Sequence, residues 1–341
     1  MADQPSLSLT PSQLRPVLVN FINARIPLLI EGNPGIGKSS IIAQVCAEEL
    51  GGIECRNWMR GSHMDPVDLK GGYIPPKDEN DTVHWAVPDF FPTDPDSRGV
   101  LFWDEIGQAP PSVQAGMMQW VLENRSGQRE LPLGWAQVAA TNLETDRSGV
   151  AKMLAALSLR FTRVRLVPDV NDWCKRMLAE DTVLPEIVAF IRFRPELLHQ
   201  FDPKLASSPN PRSWERVSKI VQMGFEPHTE MVTIAGTVGE GAAIECMAFL
   251  KIARSLPSVD TIMMSPLSAP VPDEPSARFA LCGALARRAT ERNFQAVLDY
   301  SERVGTEFNW LTVQDAVARD GALQATKAFV NWSCDHQALL Q

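Results

Sequence analysis

The stretch "GNPGIGKSS" at residues 32–40 constrains this chain more than any other feature. It follows an apolar run, "IPLLI" at 26–30, and opens a helix-patterned run, "KSSIIAQVCAEEL", after which Gly51 and Gly52 provide a stop. Gly32, Gly37, Lys38 and Ser39 fit the spacing G-x-x-x-x-G-K-[ST]. Glycines let successive backbone N–H groups turn inward around phosphate oxygens, and the following helix adds the positive end of its dipole. Lys38 supplies a full charge for the outer phosphates, and Ser39 offers a hydroxyl to Mg2+. The whole stretch, Gly32, Asn33, Pro34, Gly35, Ile36, Gly37, Lys38, Ser39 and Ser40, is therefore a candidate nucleotide cradle. A plain glycine turn is the bland alternative; the strand and helix on its two sides argue against it.

Further candidates follow along the chain. "VLFWDE" at 100–105 is an apolar strand ending in two carboxylates, Asp104 for the Mg2+ shell and Glu105 to polarise an attacking water. An acidic pair there points to hydrolysis rather than to transfer onto an acceptor. "QVAATN" at 137–142 ends a strand on Asn142, an amide able to orient that water. "LSLRF" puts Arg160 at a helix end, where a cation suits the dipole but can also serve a neighbouring subunit's nucleotide. Arg163 and Arg165 lie close enough to compete for that role. In "SPNPRSWERVSKI", Arg212 stands at a helix start, the wrong end of the dipole for a cation unless an anion faces it. A surface arginine after a proline turn is the alternative.

Strands alternate with helices over the first 168 residues, which predicts a parallel sheet flanked by helices. The expected elements include a helix over 11–25 with Leu14, Leu18, Phe21 and Ile22 on one face. A helix over "PPSVQAGMMQWVLENR" is expected to stop near Gly127, another spans "VAKMLAALSLRF", and a strand spans "TRVRLVP". Residues 56–98 read as loops and short hairpins, with Trp85 as core. After Pro168 the pattern is helical throughout, and "SPLSAPVPDEPSA" at 265–277 reads as a linker. The expected division is thus 1–168, 169–264 and 265–341.

The net charge of −9 argues against wholesale nucleic-acid binding, which needs concentrated Lys and Arg. No apolar run approaches the roughly 20 residues of a membrane helix, and the first residues lack a basic flank followed by an apolar stretch. Six cysteines without a CxxC pair read as buried thiols in a reducing compartment, and the five histidines do not cluster. The expectation is a cytoplasmic protein.

Taken in order, these stretches resemble an AAA+ ATPase, and more narrowly its MoxR-type branch. "MDPVDLKG", "VLFWDEIGQAPPSVQAGMMQWVLENR", "ATNLETDR", "LSLRF" and "NPRSWERVS" carry the likeness, which extends over most of the chain. The resemblance implies an α/β fold: a P-loop AAA+ core with a parallel sheet flanked by helices, an all-helical lid, and a helical C-terminal segment. It implies ATP and Mg2+ as ligands, ATP hydrolysis as the activity, and a homo-oligomeric ring, most often a hexamer. Lys38 and Ser39 then belong to Walker A, Asp104 and Glu105 to Walker B. Asn142 becomes sensor 1, Arg160 the finger acting in trans, and Arg212 sensor 2. A client protein to be remodelled and a von Willebrand factor A-domain partner are also implied. Two departures are Trp103, where a smaller aliphatic residue is usual, and Ser-Leu-Arg in place of Asn-Arg at the finger. "DLKGGY" at 68–73 is a candidate pore loop through Tyr73, with a surface loop as the alternative. A nucleic-acid motor and an ATP-switched scaffold remain as other readings. A basic channel would mark the first, whereas the intact Glu105 speaks against the second.

Overall fold

Alternation along the strands decides which helices each face of the sheet meets. The protein is seen in a computed structural model that describes residues 7–78, 84–126, 129–146 and 153–336. It divides into two compact units, Met1–Val167 and Pro168–Gln341.

The first unit begins with β1 (Ser8–Leu9), α1 (Pro11–Ala24), β2 (Leu28–Glu31), α2 (Lys38–Glu48) and β3 (Glu54–Arg60). It continues with α3 (Pro66–Lys70), β4 (Gly72–Ile74), β5 (His84–Ala86), β6 (Arg98–Asp104) and α4 (Pro111–Glu123). Then come β7 (Arg125–Ser126), β8 (Arg129–Glu130), β9 (Gly134–Thr141), α5 (Ala155–Ser158) and β10 (Thr162–Leu166). Six of the strands form one sheet in the order β1-β10-β2-β9-β6-β3, and every pairing in it is parallel. Leu28, Ile30, Val100, Phe102, Val138 and Ala140 point to the layer that holds Leu14, Leu18, Ile42 and Val45 of α1 and α2. Leu29, Leu101, Trp103, Trp135 and Ala139 point the other way, against Val113, Met117 and Trp120 of α4. This is the flanked parallel sheet that the alternating pattern predicts.

Local signals account for the ends of the helices. Thr10 and Gln13 form a capping box at the start of α1, and Arg25 ends that helix in the left-handed region at φ 55°. Helix α4 stops earlier than expected: Asn124, with φ 51°, is its left-handed terminator, and Gly127 lies outside the described residues. Asparagine tolerates this conformation because its short amide can bond locally. Of the helix expected over 150–161, residues 150–152 lie outside the described residues, as does Arg147, and the described part is only α5.

Two expectations for the first unit's periphery change. Residues 54–60, read partly as loop, form an edge strand on β6 with a register shift between Arg56 and Met59. A polar edge strand with a bulge lacks the apolar alternation that betrays inner strands. Trp85 is not core: it pairs with Tyr73 across the β4–β5 hairpin, the two 50% and 58% exposed and in edge-to-face contact. A short two-stranded hairpin has no second layer in which to bury an indole.

The second unit is helical in every described element: α6 (Val170–Ala179), α7 (Pro185–Phe193), α8 (Pro211–Gln222), α9 (Pro227–Val238) and α10 (Glu240–Ser255), then α11 (Val259–Met264), α12 (Pro275–Arg288), α13 (Phe294–Val304), α14 (Thr306–Arg319) and α15 (Lys327–Asp335). Its apolar interior falls into two clusters, one around Phe190, Trp214 and Phe249, the other around Phe294, Tyr300 and Trp332. Helix α12 serves both, giving Ala280 to the first and Leu281 and Leu285 to the second. It approaches α7 so closely that a Cβ at Gly283 would sit 3.3 Å from that of Ala189. Four cysteines are buried and Cys55 is half-buried, but Cys334 stands exposed on α15 against the sequence expectation. Among the described residues no helix is long and apolar enough to cross a membrane.

Candidate active site

In the sheet order β10-β2-β9-β6, the C-terminal ends of β2, β9 and β6 lie side by side. The residues that leave those ends are Gly32, Asn142 and Glu105, so three motifs separated in sequence arrive at one edge. Ligands of parallel α/β sheets bind at this edge, where helix N-termini also converge.

The loop from β2 to α2 is shaped by close approach. A Cβ at Gly32 would come within 2.8 Å of the Leu166 carbonyl oxygen on β10, so a side chain has no room there. The Gly32 N–H still bonds the Thr141 carbonyl at 3.3 Å, tying the start of the loop to β9. Gly37, at φ 93°, turns the chain into α2, and no side chain caps that helix. Its first N–H groups are thus left to face whatever enters the loop.

Lys38 is only 9% exposed. A buried ammonium is costly unless it is paired with acceptors. It donates to the Gly32 carbonyl at 2.7 Å, the Asn33 carbonyl at 2.9 Å and Asn142 Oδ1 at 2.8 Å. The predicted P-loop lysine and the predicted strand-end amide are therefore in direct contact. Ser39 Oγ donates to Asp104 Oδ2 at 3.0 Å. Two hard oxygens at that spacing suit adjacent positions on an octahedral ion taking oxygens at about 2.0–2.1 Å, so the pair fits Mg2+.

Glu105 lies one residue beyond β6 with φ 54°, a left-handed conformation that carries a cost of about 1–2 kcal/mol for a non-glycine residue. Its N–H donates to Asp104 Oδ1 at 3.1 Å, and a 3-10 turn over Ile106–Gln108 follows. Strained backbone of this kind concentrates at sites where a side chain must be aimed. Trp103, the unusual neighbour of Asp104, is fully buried, and its indole N–H donates to Gln137 Oε1 at 3.0 Å. Gln137 passes its own amide protons to the Trp120 carbonyl and to Asn124 Oδ1, at 2.6 and 2.8 Å. Every polar atom the large residue brings is thus satisfied, which explains how it is accommodated.

One residue of this site escaped sequence reasoning. Asp146, 5% exposed, accepts from Asn33 Nδ2 at 2.8 Å and from the Leu143 N–H at 3.1 Å. Burial pushes its carboxyl upward, opposed by those two donors and by the charges of Lys38 and Arg165. The signal was present in "ATNLETDR", an acid four residues after Asn142, but nothing local ties it to residue 33.

The three arginines of the "LSLRFTRVR" stretch differ. Arg163 Nη2 bonds Glu31 Oε1 at 2.6 Å, and Arg165 is among the charges acting on Asp146. Arg160 donates to the Ala156 carbonyl at the end of α5, and its Nε is buried with no hydrogen-bond partner. Arg160 thus has no carboxylate partner among the ion pairs of the described residues. Arg212 belongs to the second unit, where it is exposed at the second position of α8. Asn210 caps that helix by accepting from the Ser213 N–H at 3.0 Å, and the Ser213 hydroxyl accepts from the Asn210 N–H at 2.8 Å. Burial pushes the Glu215 carboxyl up while the Arg212 charge opposes that rise, so a carboxylate one turn away partly answers the cation.

A cavity of about 680 Å3 opens between the α3 region and the hairpin, lined by Met64, Val67, Asp68, Val87 and Phe90 among others. None of the converging residues lines it. A phosphate cradle is marked by directed donors rather than by hollow volume.

No protein-family model matches the chain, and neither does any curated protein. Solved structures do resemble it. NtrX from Brucella abortus in complex with ATP is 14% identical, with 99% of this chain and 69% of that one covered at a TM-score of 0.41. RuvB from Thermotoga maritima, a point mutant, is 17% identical over 75% and 74% of the two chains, with a TM-score of 0.38. A protein from Cytophaga hutchinsonii, assigned provisionally as an ATPase, is 14% identical over 90% and 79%, with a TM-score of 0.37. With scores below 0.5, these likenesses leave the assignment to the chain's own geometry.

Proposed function

We propose that this chain is an ATP hydrolase of the AAA+ type. The observation that carries the reading is the pair of contacts Lys38–Asn142 and Ser39–Asp104, which gather three sequence motifs at the ends of adjacent parallel strands. Lys38 and the uncapped start of α2 bind and orient the outer phosphates. Ser39 and Asp104 hold Mg2+, which draws charge from the phosphates when bound. Glu105 takes the proton of the attacking water, and Asn142 orients that water. Lys38, Asn142, Ser39 and Asp104 are already held by hydrogen bonds to one another, which limits the reorganisation left for the reaction.

The MoxR resemblance extends this reading to a hexameric ring. Arg160 then reaches the nucleotide of a neighbouring copy, and Arg212 reports phosphate to the helical unit. It also extends it to a client protein and a von Willebrand factor A-domain partner. Among the described residues Arg160 has no carboxylate partner while Arg163 is paired with Glu31, which supports Arg160 over Arg163 for the trans role. The deciding experiment is Mg-ATP turnover by wild type and by Glu105→Gln, with ATP binding measured in parallel. The reading expects turnover to fall about 10²-fold or more while binding persists. Equal, background-level turnover in both would sink it, and strong stimulation by DNA or RNA would move the function to a nucleic-acid motor.

A further inference from the structure

Lys38, Asn33, Asp146 and the Asn142–Leu143 segment close a hydrogen-bonded circuit. Lys38 Nζ reaches Asn142 Oδ1 at 2.8 Å and the Asn33 carbonyl at 2.9 Å. The Asn33 side chain reaches Asp146 Oδ1 at 2.8 Å, and Asp146 Oδ2 returns to the Leu143 N–H, next to Asn142, at 3.1 Å. From this circuit we infer that Asp146 is a positioning residue: its carboxylate bridges the phosphate loop to the loop after β9 and so sets where Asn142 stands relative to Lys38. The inference rests on the ATP-hydrolase reading above and adds a residue to it.

The argument turns on which bonds survive substrate. A phosphate competes directly for the Lys38 ammonium, so the Lys38–Asn142 bond is the strut that binding loosens. The Asn33–Asp146 bond uses a side-chain amide and a buried carboxylate, neither of which a phosphate needs. It also spans 113 residues of sequence, whereas the bond to Leu143 only closes a local turn. One oxygen of Asp146 therefore serves the turn and the other joins two loops. With Lys38 engaged by phosphate, the second oxygen keeps Asn142 in place. Misplacement of a water-orienting group by about 1 Å is enough to cost about 10²-fold in rate, while binding, governed by the loop N–H groups and Lys38, is less sensitive.

Asp146→Asn separates the two roles of the carboxylate. The amide oxygen can still accept from Leu143, but its NH2 now meets the NH2 of Asn33, so the bridge survives only if the Asn33 amide turns over, which Asn33→Ala excludes. The expected result is a fall in kcat of about tenfold or more, with the ATP Kd changed less than about threefold and Tm nearly unchanged. In an Asn33→Ala background, where the bridge is already gone, the same change at residue 146 should lower kcat by less than about twofold. If Asp146→Asn fails to fold, Asn33→Ala breaks the bridge from its other end and must lower kcat by itself. The inference is overturned if kcat is unchanged, if the loss is equal in both backgrounds, or if it merely follows the fall in Tm. Wild-type protein that neither binds nor turns over ATP would remove the parent reading, and the positioning role with it. A wild type active as expected, with an indifferent Asp146→Asn, would remove only the positioning role.

Discussion

The two units each bury a charge, and they treat it differently. Lys38 in the first unit is met by backbone carbonyls and an amide at the open end of a sheet. Arg192 in the second unit is met by Asp315, between α7 and α14, with side chains 10% and 5% exposed. The first arrangement holds its charge beside the uncapped start of α2, at the open end of a loop whose N–H groups an anion can reach. The second is neutralised by its own partner and faces packed helices. Burial of a charge alone therefore does not mark a site. What marks it is charge held where a ligand can reach it.

Four experiments would break or sharpen that contrast. The largest effect is expected from Lys38→Ala, which should abolish ATP binding and lower turnover by about 10³-fold or more, measured by steady-state phosphate release. Retained turnover would put the first charge in the same structural class as the second. Arg192→Ala leaves Asp315 buried without its partner and should destabilise by about 3–5 kcal/mol in urea unfolding. A loss below about 1 kcal/mol would mean that the ion pair does little for the fold.

The third experiment concerns pH. Burial pushes the Asp315 carboxyl up to about 6, with the Arg192 charge opposing. The folded form thus holds its proton to higher pH than the unfolded chain, where an aspartate titrates near about 3.9. Folding binds the proton in that window, so this group's contribution to stability falls as pH rises from about 4 to 6 and is flat above it. Asp315→Asn should lack that slope, so the stability difference between wild type and variant should itself fall as pH rises from about 4 to 6. The smallest effect is at Glu105, where Glu105→Gly relieves about 1–2 kcal/mol of left-handed strain but adds about 0.4–1 kcal/mol of unfolded-chain entropy, for a net gain of up to about 1 kcal/mol. The same variant should lose turnover, pairing gained stability with lost activity.

Much of the site was legible because its parts are local. A glycine loop between strand and helix, an apolar strand ending in Asp104 and Glu105, and Asn142 closing another strand each declare themselves within a few residues. The inner strands were equally plain, since a sheet covered on both faces demands continuous apolar runs. The edge strand at 54–60 and the exposed Trp85 were not, because neither is set by a pattern of burial on two sides.

Local chemistry by itself determined the phosphate loop, the acidic strand end and the helical character after residue 168, since these need only neighbouring residues to agree. Tertiary structure alone decided that Asp146 meets Asn33, that Gln137 makes room for Trp103, and that Arg163 is spoken for by Glu31 while Arg160 has no such partner among the described residues. Those pairings join residues 34 to 132 positions apart. A hydrogen bond is satisfied by whatever donor the fold brings within about 3 Å, and no run of adjacent residues specifies which donor that will be.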